Sequence, residues 1–116
     1  MFELAFHHRV WQAVERADPG LRGACKAHLV RLRLMRQGVG SLRIEKVDDK
    51  IWELKISWNK QEFRFLWFYG SKMTIYLVCF FQKKTRKTPP SEIEVANARM
   101  REIQLEQAAV VSRELH

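Results

Sequence analysis

Residues 51–90, IWELKISWNKQEFRFLWFYGSKMTIYLVCFFQKKTRKTPP, decide the fold. A period of two runs through the first half. Trp52, Leu54, Ile56 and Trp58 share one face of a strand over Ile51–Trp58, with Glu53, Lys55 and Ser57 on the other. Asn59-Lys60 predicts a tight hairpin, because Asn tolerates the positive φ that such turns require. The next strand, Glu62–Tyr69, places Phe63, Phe65, Trp67 and Tyr69 together and leaves Arg64 opposite them, among Leu66 and Phe68. After a turn at Gly70-Ser71, Met73–Gln82 is apolar on both faces, the pattern of a central strand covered by helices. The stretch ends in a basic cluster, in which Lys83, Lys84, Arg86 and Lys87 are four of five consecutive residues.

Arg64 is out of place in this pattern. A guanidinium inside an aromatic and aliphatic strand needs an anion, or an opening at the sheet edge. Glu53 could supply the anion across the strands. A bound ligand could supply it instead, and the two can alternate.

Working outward, Thr88-Pro89-Pro90-Ser91 starts a helix. Ser91 and Glu94 have capping-box spacing, Ile93, Ala96, Met100 and Ile103 form the apolar stripe, and helical pattern continues to about Ala109 before a fraying end. Upstream, Leu21–Gln37 is a second helix with Leu21, Cys25, Leu29, Leu32 and Met35 on one stripe and Gly38 as its C-cap. Its other faces carry Arg22, Lys26, Arg31, Arg33 and Arg36, and no acid occurs from Pro19 to Ile44. These charges suit a solvated face as well as a phosphate-contacting one. Val39–Val47 is a connector or a short strand. Val10, Ala13, Val14 and Ala17 repeat at helical spacing, broken at Asp18-Pro19-Gly20, and Phe2, Leu4 and Phe6 alternate as a short strand would.

Composition bounds the function. At 116 residues the chain predicts one domain, 1–116, with an ordinary globular balance of 47% hydrophobic and 29% charged residues. Its net charge of +8 and pI near 9.9 point to a polyanionic partner such as nucleic acid or an acidic protein segment. Cys25 and Cys79 match no metal spacing and sit in apolar patterns, which predicts two buried thiols in a reducing cytoplasm. His7 and His8 have no carboxylate or cysteine nearby at a ligand spacing, so an exposed structural role is expected. The N-terminus has no signal-peptide pattern, and the longest apolar run, Met73–Phe81, is too short to span a bilayer. No membrane and no cofactor are expected.

IWELKI, FRFLWFY and the closing segment FFQKKTRKTPPSEIEVANARM resemble toxins of the RelE/HigB superfamily, in its phage-related HigB-like branch. The resemblance covers about Leu29 to Arg101, and the K-K-T-x-K-T-P-x-x-E-I segment is its most specific part. It implies an α+β fold, a small antiparallel β-sheet packed by N-terminal helices with a C-terminal helix. It also implies the toxin of a type II toxin–antitoxin system: a ribosome-dependent mRNA endonuclease, active without a metal in the ribosomal A site. A helix-turn-helix antitoxin of the HigA type is the expected partner, and nothing in the sequence fixes a homo-oligomeric state. Carried over by position, Arg64, Lys83, Lys84 and Lys87 are the expected catalytic residues. Glu53, Lys55, Arg86 and Tyr76 are expected to bind substrate. The segment through Ala27 lies outside the resemblance, and the basic loop contains no His or Tyr, so a histidine base is unsupported.

Metal-free RNA cleavage uses the ribose 2′-OH as nucleophile on the adjacent phosphate. It needs a proton acceptor, stabilisation of the pentavalent phosphorane, and a proton donor for the leaving 5′-oxygen. Clustered cations lower one another's pKa, which fits a lysine for acid or base work. Arg64 offers bidentate donors to phosphate oxygens. With a regular register, Tyr76 and Phe80 share Arg64's side, where they could stack bases or pack the core. Two alternatives share parts of this pattern: a ParE-like gyrase inhibitor, and a non-catalytic RNA-binding regulator.

Overall fold

The central hairpin folds as its alternation dictates. The computed structural model describes residues 1–35, 42–113 and 115. The elements run β1 (Glu3–His7), α1 (His8–Glu15), α2 (Pro19–Arg33), β2 (Arg43–Lys46), β3 (Trp52–Trp58), β4 (Gln61–Tyr69), β5 (Thr74–Lys83), α3 (Pro90–Gln104) and β6 (Val110–Val111). The strands form one sheet in the order β2-β3-β4-β5-β1-β6. Neighbours are antiparallel except for β1 and β5, which run parallel. The fold is thus α+β, as the sequence predicts, with N-terminal helices and a C-terminal helix about a mostly antiparallel sheet.

Asn59 and Lys60 both take positive φ, 51° and 60°, as a two-residue hairpin turn of matching twist requires. That turn pairs Trp58 with Gln61 and fixes every later pair, including Ser57 with Glu62 and Lys55 with Arg64. The sheet is covered on both sides. On one face Leu54, Ile56, Phe65, Trp67, Ile75 and Leu77 pack with Val10 and Val14 of α1 and with Leu21, Cys25, Leu29 and Leu32 of α2. On the other, Leu66, Phe68, Val78 and Cys79 pack with Ala96 and Met100 of α3. Trp67, Phe65 and Phe6 are fully buried, and each such side chain contributes about 1.5–3 kcal/mol of transfer free energy.

Several boundaries differ from the expected ones, each for a local reason. Asp18-Pro19-Gly20 follows the expected break after α1 and also starts α2: Pro19 occupies its first turn, and Gly20 N donates to Asp18 Oδ1 at 2.8 Å. α2 ends at Arg33 with Leu34 as C-cap; the expected Gly38 cap lies outside the described residues, as does the first part of Val39–Val47, of which β2 is the described strand. Ser91 does not cap α3. The Pro89-Pro90 pair begins the helix earlier, with Pro89 as N-cap and no side-chain capping bond, so Ser91 is already inside the first turn.

α3 also stops at Gln104, short of Ala109. Glu106 adopts φ 58°, Gln107 N donates to the Glu102 carbonyl at 2.7 Å, and Glu106 N donates to the Ile103 carbonyl at 3.0 Å. That pair of bonds is a Schellman closure, built here without glycine. The chain then returns as β6 to pair with β1 instead of fraying.

β5 carries a bulge. Leu66 pairs with Cys79, but Trp67 pairs with Leu77, leaving Val78 as the extra residue. Arg99 Nη1 of α3 donates to the Val78 carbonyl at 2.8 Å. At the turn from β4 into β5, Lys72 and Met73 take positive φ, and Gly70 lies under the Tyr76 ring. A Cβ at Gly70 would sit 2.2 Å from the Tyr76 ring carbon Cε2. Gly70→Ala is therefore expected to destabilise the protein by about 1–3 kcal/mol, read as a lower urea midpoint at unchanged slope. Wild-type stability would show that the ring swings aside without loss.

Candidate functional site

α3 covers only part of its face of the sheet. The other end of that face is polar, because β3 and β4 place Glu53, Lys55, Ser57, Glu62 and Arg64 there in register. Arg43 and Glu45 of β2 pair alongside Lys55 and Glu53, and Lys83 of β5 pairs with Glu62. Four cations thus face three carboxylates on the strands themselves.

Arg64 is 5% exposed and Glu53 fully buried. Arg64 Nε lies 3.5 Å from Glu53 Oε1, an ion pair without hydrogen-bond alignment. Nη1 donates to the Phe63 carbonyl at 2.9 Å, and Nη2 lies 3.5 Å from Glu62 Oε1. The second oxygen of Glu53 accepts the Thr88 hydroxyl hydrogen bond. One buried carboxylate therefore ties the strand arginine to the end of the basic loop.

The exposed pairs are weaker fasteners. Lys55 Nζ stands 3.0 Å from Glu45 Oε2. Glu62 accepts from the Ser57 hydroxyl and from Arg43 Nη2, the latter at 3.3 Å. The hydrogen bond from Ser57 holds the Glu62 carboxyl below its ordinary pKa; burial opposes it, and the hydrogen bond and charge of Arg43, with the charge of Arg64, lower it further. A hydrogen bond and charge from Lys55 lower Glu45 in the same way, with smaller contributions from Lys83 and Arg64.

The loop beyond β5 has no such compensation. Lys84, Arg86 and Lys87 are exposed. Among the described residues none of them lies within ion-pair distance of a carboxylate. Thr85 Oγ1 donates to the Lys87 carbonyl at 2.9 Å. With β5 at one end and the Thr88–Glu53 bond and two prolines at the other, the loop backbone is held on both sides.

The structure thus brings Arg64, Glu53, Lys55 and Lys83 together on one face, with Lys84, Arg86 and Lys87 on the adjoining loop. Tyr76 is not among them. It shares Arg64's face but pairs with Phe68, four residues along β4 from Arg64 and so about 13 Å away. Its ring stacks on Phe68 at 5.0 Å. Phe80 is on the opposite face, stacked on Phe65 at 4.6 Å, because the bulge at Val78 reverses the parity that a regular register would give. Arg43, Ser57, Glu62 and Thr88 escaped the sequence reading. The two-residue turn at Asn59-Lys60 already dictated the Ser57–Glu62 pair; the folding back of Thr88 onto Glu53 left no such mark.

Other reactive groups lie elsewhere. His7 is buried, not exposed as expected, because it lies on β1 between β5 and β6; its Nδ1 accepts from Arg9 N at 3.2 Å and caps α1. Burial lowers its pKa, Arg99 and His8 lower it further, and Glu102, 3.7 Å from Nε2, opposes them. His7 is on β1, on the far side of β5 from Arg64. Burial pushes the Cys25 and Cys79 thiols up to about 12, too high to supply a thiolate nucleophile near neutral pH. Among the described residues no group of three or more His, Cys, Asp or Glu could hold a metal, and no helix is long and apolar enough to cross a membrane. A cavity of about 290 Å³ lies against α2, lined in part by Leu4, Leu29, Lys26 and Arg113, and contains none of the expected site residues.

Fold and site together define a small basic α+β protein with a buried strand arginine beside a fastened cationic loop. Residues 14–101 match the family described as phage derived protein Gp49-like (DUF891), and the chain belongs to that family. The match starts at Val14, well upstream of Leu29, so it takes in the end of α1, α2, strands β2 to β5 and most of α3, and leaves out β1 and β6. A search of curated proteins finds no match.

Proposed function

We propose that the protein is the toxin of a type II toxin–antitoxin module of the RelE/HigB type, and that it cleaves mRNA at the ribosome without a metal. Membership in a phage-derived family and the resemblance of IWELKI, FRFLWFY and KKTRKTPPSEI to those toxins support the reading. The observation that carries it is Arg64, a guanidinium buried in an aromatic strand and linked through Glu53 and Thr88 to a loop of uncompensated cations.

In this reading the loop cations and Lys55 draw in the RNA backbone, and Arg64 stabilises charge on the phosphorane as the 2′-oxygen attacks. The 2′-proton passes to a lysine free base, and a protonated lysine returns a proton to the departing 5′-oxygen. The products are a 2′,3′-cyclic phosphate and a 5′-hydroxyl. Fixing the loop at both ends orders these donors before substrate arrives, and such preorganisation is the main source of electrostatic catalysis. An antitoxin with an acidic segment would neutralise the same loop.

Pulse-labelling of cells after induction tests the class. Amino-acid incorporation should fall before DNA synthesis does; early DNA breaks with trapped gyrase would instead assign the protein to the gyrase-inhibitor type. Binding of the purified protein to single-stranded RNA should weaken steeply with salt. Four phosphate contacts predict a log–log slope of about −3, and a flat dependence would contradict an electrostatic interface.

A further inference from the structure

We propose that the pocket formed by Arg43, Ser57 and Arg64 is the seat of an RNA phosphate, and that Glu62 occupies it in the free protein as an internal stand-in. The inference rests on the reading of Arg64 as a phosphate ligand and adds three residues to it.

The Glu62 carboxylate is held as a bound anion would be. It accepts from the Ser57 hydroxyl, it lies 3.3 Å from Arg43 Nη2 and 3.5 Å from Arg64 Nη2, and its neighbour across the ladder is Lys83. Two guanidiniums and a hydroxyl converging on one carboxylate make a donor set suited equally to a phosphate. Lys83 adds positive charge on the same face.

Access requires displacement of Glu62. The Arg64 side chain is 6% exposed, and its three nitrogens are already committed. Nε faces buried Glu53, Nη1 is bound to the Phe63 carbonyl, and Nη2 faces Glu62. Of the acceptor groups on these nitrogens, the Glu62 carboxylate is the one on the exposed side, with a side chain 39% exposed. A phosphate can therefore reach Arg64 by replacing Glu62, whereas replacing Glu53 would open the core and release Thr88. Glu62 keeps the buried guanidinium paired in the absence of RNA, since an unpaired buried charge is costly. It also sets a competition that any ligand must win.

The test uses the purified protein with inorganic phosphate and a short single-stranded RNA as probes. Glu62→Gln keeps the shape and removes the competing charge, so affinity for both probes should rise about five- to tenfold at low salt. Glu15→Gln makes the same change of net charge on α1, on the opposite face of the sheet, and should raise affinity no more than about twofold. Adding Arg64→Lys to Glu62→Gln should remove most of the gain. In the wild type, phosphate should move the ¹³C-detected titration of Glu62 upward, toward an ordinary glutamate, as it loses its donors. Equal gains from Glu62→Gln and Glu15→Gln, or a Glu62 titration unmoved by saturating phosphate, would overturn the proposal. So would a Glu62→Gln gain seen with an acidic peptide and absent with phosphate and RNA. These readouts are of binding, so a protein that binds as described but cleaves no mRNA would refute the nuclease reading and leave the phosphate seat standing.

Discussion

Arg64→Lys should fold and yet lose mRNA cleavage by about 10²–10³-fold, the usual loss when a preorganised transition-state donor is removed. Lysine retains the positive charge that Glu53 requires, but its ammonium cannot reproduce the planar fork that reaches two carboxylates at once. Arg64→Ala should do worse for a different reason. It strands Glu53, whose side chain is 1% exposed, and breaking a buried pair from one side costs about 3–5 kcal/mol. The contrast between the two variants separates chemistry from stability. Circular dichroism and urea denaturation should place Arg64→Lys near the wild type and Arg64→Ala well below it, while both fail to cleave. A stable Arg64→Lys protein with full activity would remove the guanidinium from the reaction.

The second large effect concerns the loop. Lys83 shares the Arg64 face, opposite Glu62, whereas Lys84 is exposed on the loop beyond the strand. Proton transfer by a positioned side chain contributes about 10²–10⁴ in rate. Lys83→Ala should therefore lower cleavage about 10²-fold or more, with Lys84→Ala smaller, while ribosome binding changes little in either. One exposed charge among many contributes little to docking. Lys26→Ala on α2, against the cavity on the other side of the sheet, should alter neither. Single-turnover cleavage and ribosome co-sedimentation measure the two quantities separately. Parallel losses in both would make Lys83 a docking residue, and undiminished cleavage by both loop variants would move the chemistry off the loop.

The parts of the fold visible in the sequence are those written in short-range pattern. Alternation in IWELKISW and EFRFLWFY gave the two strands and their faces, and Asn59-Lys60 gave the turn. Arg64 could be singled out because a charge among aromatics breaks that pattern. What stayed hidden was set by backbone detail or by distant partners. No periodicity reveals that Val78 bulges, and that one extra residue separates Tyr76 from Phe80 across the sheet. The end of α3 is fixed by Glu106 in a left-handed conformation that usually marks glycine. His7 looked exposed because its burial depends on β1 lying between β5 and β6. Within the site, Glu53, Lys55 and Arg64 were legible from strand parity. Thr88 was not, because its role depends on a loop folding back 35 residues along the chain.

The difference in charge between strands and loop bears on how such a protein is kept silent. On the strands each carboxylate already has a cation, so the face by itself offers little net attraction. At this end of the face Lys83, Lys84, Arg86 and Lys87 are the cations in no ion pair among the described residues, and a partner that neutralises them would weaken the pull on RNA there. Ordering of the loop by Glu53 and Thr88 would persist in that complex, leaving the site ready when the partner is lost.

Primer extension on a defined mRNA, incubated with the purified protein in the presence and absence of programmed ribosomes, tests the central claim most directly. Cuts within the A-site codon are expected when ribosomes are present, with 2′,3′-cyclic phosphate ends, and loss of the cuts in Arg64→Lys. Intact mRNA after incubation of wild-type protein with translating ribosomes would contradict it.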